Sequence, residues 1–519
     1  MKLPVLSLIT FLPLLGGLLL LLLNNSRDKL IRGLALLFSL LPLLPLLAVW
    51  TKFDPTRTDM QFVERAAWFP EINMEYYLGV DGLSLGLLLL SGIIVPLAIL
   101  ASFKVRENIR AYFFFFLLLQ TGLFGVFTAL NFVHFFIFWE IGLVPMYFLI
   151  KSWGGANRDY ASFKFFVMTV FGSIAMLLAF QLLFAATGTF SFTDLARIGQ
   201  SAGGMGLGIA IANALQRLGF TVAATTCSAV ALLAVSLAFA VKVPVWPFHT
   251  WLPDAHTEAP TAGSIVLAGV LLKMGGYGFL RIVLPLFPAS SAEYAGVLAV
   301  LAVAGIVLGA FAAMSQNDLK RMIAYSSVNH MGYVILGIAA LAWRTGSAEQ
   351  LSAKSLAANG ALLQMFNHGI TAGALFFLVG VIYDRAHTRQ LDEFGGLRAV
   401  MPVYAGIMGI AIFSSIGLPG LNGFVGEFMI FSGSFSMLSG LTVAAMTGLV
   451  ITALYLLVLI QKVFLHDVNP RWKDLPDMTG LERLTAIPFL AFMFLLGFFP
   501  SLLIELSNAA TANLARLFV

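Results

Sequence analysis

The chain has 519 residues, of which 60% are hydrophobic and 11% charged, with a formal net charge of +5. Ordinary soluble domains carry roughly 25% charged residues, so these proportions exclude a water-soluble enzyme and describe a protein with little outside a bilayer. The single cysteine, Cys227, excludes a disulfide framework or a cysteine-ligated iron–sulfur cluster within the chain. The basic excess sits mostly in short loops, as membrane orientation requires, and not in a nucleic-acid face.

The first apolar run, LPVLSLITFLPLLGGLLLLLLNN, is too long for a signal-peptide core and lacks a small-x-small cleavage site, so it reads as a retained span. Spans of about twenty residues follow in order. They lie near 3–23, 30–50, 80–103, 111–130, 131–150, 162–186, 221–251, 262–285, 294–314, 321–342, 356–381, 400–436, 440–464 and 484–506. Hydrocarbon offers the backbone no outside partner, and the runs lack the alternation of a barrel. The predicted fold is an all-α polytopic membrane protein of about fourteen transmembrane helices. Loops after odd-numbered spans hold the larger share of Lys and Arg, which places them in the cytoplasm and both termini outside. Asp81, opening the third span in VDGLSLGL, reads as an N-cap. Asp254 and Glu505 are discounted as carriers in the same way.

Two spans are interrupted. The seventh contains KVPVWPFHTWLP, where Pro244 and Pro247 remove ladder donors and clash with the preceding turn. The twelfth contains GLPGLNGFVGEF, with Pro419 among glycines and Glu427 two turns later. Each interrupted helix is fourth in a set of five, spans four to eight and nine to thirteen. Five is odd, so the second set enters from the opposite side. This gives N-terminal helices over 1–110, inverted repeats over 111–285 and 286–464, and a C-terminal span over 465–519. Paired interruptions at matching places mark an ion path in transporters; single prolines are more often plain kinks.

Four charges lie at bilayer depth: Glu140, Lys242, Lys273 and Glu427. Each costs about 2.5–3.5 kcal/mol to insert, so their presence points to use. A buried amine keeps its charge only beside an acid. Glu140 approaching Lys242 would therefore load a proton, and withdrawing would release it; a static ion pair is the plainer alternative. His330 and His368 are also central, and imidazole can take a proton on one nitrogen and give it from the other. Ser326, Ser327, Asn329, Asn367 and Thr371 stand near them. His134, His249 and His256 lie closer to span ends and receive less weight.

Several stretches together resemble the antiporter-like subunits of proton-pumping NADH:quinone oxidoreductase, respiratory complex I. They are FWEIGLVPMYF, VKVPVWPFHTWLPDAHTEAPTAGS, LLKMGGYGFLR, LKRMIAYSSVNHMGY, MFNHGITAGALFFLVGVIYDRAHTR and GLPGLNGFVGEF. Within that family the pattern is similar to subunit M, also called subunit 4, because Glu427 stands where the sister subunits are expected to carry lysine. The resemblance implies that Glu140 pairs with Lys242, that Lys273 is the central relay, and that His330 and His368 lead to Glu427 at the exit or subunit boundary. It implies no cofactor in this chain, with flavin, iron–sulfur clusters and quinone in partner subunits. It also implies sister antiporter-like subunits on both sides and a bacterial-type inner (cytoplasmic) membrane or its equivalent. The stretch 187–224 departs from the pattern and is expected to be a surface excursion or short extra helix. Two other functions remain open: a subunit of a multi-subunit Mrp-type cation/proton antiporter, and a b-type carrier with His330 and His368 as axial haem ligands.

Overall fold

The computed structural model describes residues 4–24 and 27–519. Among these, ten helices are long and apolar enough to cross a membrane, and three shorter apolar helices join them: Val5–Leu21, Leu85–Ala101 and Pro402–Ile416. Leu319–Ala342 is a further crossing, less apolar because it carries Ser326, Ser327, Asn329 and His330. The long helix Asn422–Ile460 reverses at Leu438, which has non-helical backbone angles. Ser434 and Thr442 share a 3.1 Å hydrogen bond across that turn, although eight residues of straight helix would separate them by about 12 Å. Its first limb continues Pro402–Ile416 through the interruption, so the described crossings number fourteen.

Loop contacts sort the crossing ends onto two faces. A vestibule of about 430 Å³ gathers Lys104, Trp153, Glu258, Lys320, Asp384 and Glu482. These residues border the third, fifth, seventh, ninth, eleventh and thirteenth loops, so all of these odd loops share one face. The other face carries the chain after the second span. The 51–79 segment reads as a loop in the sequence, but it contains most of an antiparallel hairpin of β1 (Gln61–Phe69) and β2 (Met74–Val80). The hairpin has a structural use: Glu64 accepts the backbone N–H groups of Leu6 and Ser7 at 2.7 and 3.1 Å. A carboxylate there satisfies orphan donors at the start of the first span.

The 187–224 stretch forms two short helices, Phe192–Gly204 and Gly206–Arg217, on the hairpin face. The last run, expected as one span over 484–506, divides. Pro500 cannot continue the ladder and pushes Phe499 out of helical geometry. Gly480–Phe498 therefore crosses, while Ser501–Ala515 lies against the hairpin face, its Leu506 carbonyl so close to Gly82 that a Cβ there would collide with it.

The eighth span, Thr261–Leu286, is buried from Ala262 to its end. Lys273 lies between two π-helical turns, Leu267–Leu271 and Phe279–Val283, and such widened turns concentrate at functional sites. Gly275 lets this helix meet the seventh-span interruption backbone to backbone, since a Cβ would stand 2.6 Å from Phe239 O and 2.8 Å from Val243 N.

Candidate functional site

The seventh-span break is built by proline chemistry. Pro244 has no N–H to offer Ala240 O, and Val245 N donates there instead at 2.8 Å. Val241 O, which Val245 would otherwise have served, accepts the Trp251 indole N–H at 2.9 Å. Lys242 is the last helical residue before this break. Its amine is buried, has no hydrogen-bond partner among the described residues, and lies 4.8 Å from the Trp139 ring centroid. Trp139 is held by its indole N–H, which donates to Ser173 Oγ at 3.0 Å, and by edge contact with Phe239.

Glu140 is the next residue, and one of its carboxylate oxygens is buried without a hydrogen-bond partner. The Glu140–Lys242 pairing expected from the resemblance is not a closed ion pair here, although Glu140 is the acid whose charge acts on Lys242. Successive helical side chains point about 100° apart. A helix that aims Trp139 at the amine therefore turns Glu140 aside.

The other four groups are joined side to side. The Lys273 amine donates to Ala268 O and lies 2.6 Å from His368 Nδ1. The His368 and His330 rings are 5.7 Å apart between centroids. His330 Nδ1 is 3.1 Å from Glu427 Oε1, and His330 Nε2 is 3.0 Å from Ser415 Oγ. None of the four is more than 4% exposed. Ser326, Ser327, Thr371, both imidazoles and Glu427 border a cavity with about 10 Å³ of room for a water centre, which suits roughly one molecule. Asn329 is not part of it; its amide donates to Ile306 O at 2.7 Å and ties the ninth and tenth spans.

The twelfth-span interruption places the final acid. Gly417 and Gly420 take left-handed conformations, with φ of 85° and 93°, which glycine alone adopts without strain. A Cβ on Gly417 would lie 3.0 Å from Glu427 Oε2. Asn367 and Asn422 exchange amide-to-carbonyl hydrogen bonds at 2.6 and 3.2 Å, fastening the eleventh span to the restart of the twelfth.

Sequence reasoning misses several members. Gln364 donates to Glu427 Oε1 at 3.2 Å; it stands one turn before His368, and that helical spacing is the signal that could have found it. His256, given little weight, is fully buried, stacked on Phe376 at 4.3 Å, and within electrostatic reach of Lys320 and Lys273. Lys320 lines the floor of the vestibule, where its amine donates to Ala259 O. The discounted groups have other uses. Asp81 is not the N-cap, which is Ser84; it accepts from Leu83 N and Ser84 N at 3.0 and 3.3 Å in the turn that leads into the third span, and it also pairs with Arg281. Asp254 pairs with Lys164 at 2.6 Å and Arg321 at 3.3 Å. His134 packs against Trp68 and Tyr76, and Glu505 is exposed. Among the described residues no group of three or more His, Cys, Asp or Glu is arranged to hold a metal ion.

Comparison with known proteins bears on this geometry. Residues 129–452 match a family model described as NADH:quinone oxidoreductase/Mrp antiporter, and residues 8–128 match the amino terminus of NADH-ubiquinone oxidoreductase chain 4. NADH-quinone oxidoreductase subunit M of Rhodobacter capsulatus is 40% identical, over 98% of this chain and 96% of that protein. The NAD(P)H-quinone oxidoreductase chain 4 of Synechococcus elongatus is 38% identical, over 99% and 91%. A chain of respiratory complex I from Thermus thermophilus superposes with a TM-score of 0.85 at 27% identity, over 99% of this chain and all of that one. A chain of the Mrp complex from Dietzia sp. shares the fold, with a TM-score of 0.83 at 21% identity over 99% and 98%.

Proposed function

This chain belongs to the NADH-quinone oxidoreductase chain 4 (subunit M) family, and from that premise we propose that Lys273, His368, His330 and Glu427 carry protons laterally through it, loaded by a Glu140–Lys242 switch. The protein is a multi-pass membrane-arm subunit of a translocating oxidoreductase, and its partners are other membrane-arm subunits. The observation that carries the proton path is the row of buried side chains from the Lys273 amine to the Glu427 carboxylate, with room for about one water beside the two imidazoles. Lysine, two imidazoles and a carboxylate can each hold a proton and hand it on. Lys320 at the vestibule floor and His256 behind it supply a way in from that face.

Lys242 and Glu140 act differently. The Lys242 amine and one Glu140 oxygen are uncommitted to any hydrogen bond among the described residues, so a modest approach of the carboxylate changes the charge balance at the amine. Domain organisation follows the same logic: two inverted five-helix repeats, over 111–285 and 286–464, each contribute one interrupted helix. The vestibule face is assigned to the cytoplasm and both termini to the outer side, on the basis of loop charge. Flavin, clusters and quinone are assigned to partner subunits.

The rival readings have less support. The Mrp-type protein shares the fold at 21% identity, against 40% for a subunit M over nearly the full length. As an axial haem ligand, His330 would have to give up Glu427 or Ser415, and the cavity that borders both imidazoles has only about 10 Å³ of room for a water centre. The test is Lys273→Ala in the assembled complex in proteoliposomes. NADH-driven proton uptake is expected to fall severely while assembly persists; full pumping would remove the relay.

A further inference from the structure

Lys273 shares its helix with a second buried cation. Tyr277 and Arg281 follow it at helical spacings of four and eight, toward the hairpin face. Arg281 Nε donates to Tyr277 Oη at 3.1 Å, and an Arg281 Nη donates to Asp81. Tyr277 Oη in turn donates to Phe127 O at 3.4 Å. Asp81 is already fixed at the start of the third span by the N–H groups of Leu83 and Ser84. Beyond Gly82, on the hairpin face, is a recess with about 20 Å³ of room for water centres, bordered by Asn359 and Ser507. Most of its wall is apolar, with Leu83, Leu362, Phe366 and Leu503, but Ser507 donates to Asn359 at 2.6 Å and Asn359 donates to Asn508 at 2.7 Å, which gives it one polar edge. This recess reaches Gly82, the residue beside Asp81, from one side, while Lys273 stands on the other.

We propose that Arg281, held by Asp81 and Tyr277, is a proton plug that closes the short route from Lys273 to the hairpin face and so forces transfer sideways to His368. A guanidinium has five donors and no acceptor and stays charged. A hopping proton needs each station to accept on one side and donate on the other, so it cannot pass through Arg281. The fixed positive charge adds a barrier of the kind that excludes protons from water-selective pores. Tyr277 offers no bypass, because its oxygen accepts from Arg281 and its hydrogen is directed at the Phe127 carbonyl. The Lys273 amine agrees with this polarity, since it bonds Ala268 O, back along the helix and away from Arg281.

The inference rests on Lys273 being a proton carrier, and the experiment separates the two. Assembled complex in proteoliposomes is held without NADH under an imposed pH gradient, and passive proton entry is followed with a trapped pH dye. Arg281→Gln is expected to raise idle proton conductance several-fold, and Arg281→Gln with Lys273→Ala to return to the wild-type level. Should Arg281→Gln fail to assemble, Asp81→Asn releases the same guanidinium and carries the test. An assembled Arg281→Gln complex as tight as wild type overturns the plug, as does a leak that persists without Lys273. If Lys273→Ala alone pumps normally, the relay reading fails, whatever the leak measurement gives.

Discussion

Two glycines in the twelfth-span interruption allow backbone strain to be separated from contact with the proton path. Gly417 and Gly420 have nearly the same left-handed backbone, with φ of 85° and 93°, so alanine at either costs about 1–2 kcal/mol. Their surroundings differ. A new methyl at 417 would stand 3.0 Å from Glu427 Oε2, whereas at 420 its nearest neighbour is a Phe498 ring atom at 3.8 Å. Relief of the first contact moves the carboxylate by a few tenths of an ångström. The His330–Glu427 distance is 3.1 Å, so that movement carries it toward the limit near about 3.5 Å, beyond which little hydrogen bonding is left. Gly417→Ala and Gly420→Ala should therefore lower the melting temperature of the purified complex by similar amounts. Only Gly417→Ala should lower the protons pumped per NADH in proteoliposomes. Equal pumping defects in both variants would mean that strain alone disturbs the helix, and Glu427 would lose its place at the end of the relay.

Trp139→Leu removes the ring beneath Lys242, a desolvated contact worth about 2 kcal/mol; pumping should fall with assembly intact, and Trp139→Phe should restore part of it. Trp251→Phe leaves Val241 O without its indole donor, at a cost of about 1–3 kcal/mol for a buried unsatisfied carbonyl. Differential scanning calorimetry should show a lower transition, with near-normal turnover at low temperature. Lys320→Met should slow NADH-driven proton uptake, whereas Lys462→Met, which breaks only the exposed 2.6 Å pair with Asp392, should leave it unchanged.

The spans and both interruptions are legible in the sequence because hydropathy and proline act locally. Pro244 with Pro247, and Pro419 among glycines, announce broken helices where lone Pro13, Pro96 and Pro488 stay inside continuous ones, and Lys273 announces a cost that needs a use. Contacts between distant segments are not legible. Arg281 and Asp81 are 200 residues apart, and Asp81 taken alone reads as an N-cap, a place that Ser84 holds. His256 is discounted for its distance along the chain from the middle of its span, but the chain after the seventh-span break buries it against Phe376 of the eleventh span, which linear position cannot convey. The hairpin over 61–80 stays hidden because an orientation argument counts charges in a loop and not its pairing. Glu140 shows a finer limit: a sequence places Trp139 and Glu140 side by side but does not say which of them faces the amine.

That last difference bears on mechanism. In the proposed relay Lys273 lies 2.6 Å from His368 and His330 lies 3.1 Å from Glu427, so those two steps follow existing contacts, while the step between the imidazoles crosses the small cavity beside them. Lys242 is committed only to the face of Trp139, an attraction that depends less on direction than a hydrogen bond does. The amine can leave the ring for a carboxylate without stranding a partner, and it can return when the carboxylate withdraws. A closed Glu140–Lys242 salt bridge would hold the charge too firmly, because breaking a buried pair costs about 3–5 kcal/mol. The open arrangement keeps the two positions closer in energy, and such near-balance is what a distant redox event can tip with the small free energies that pass between coupled sites.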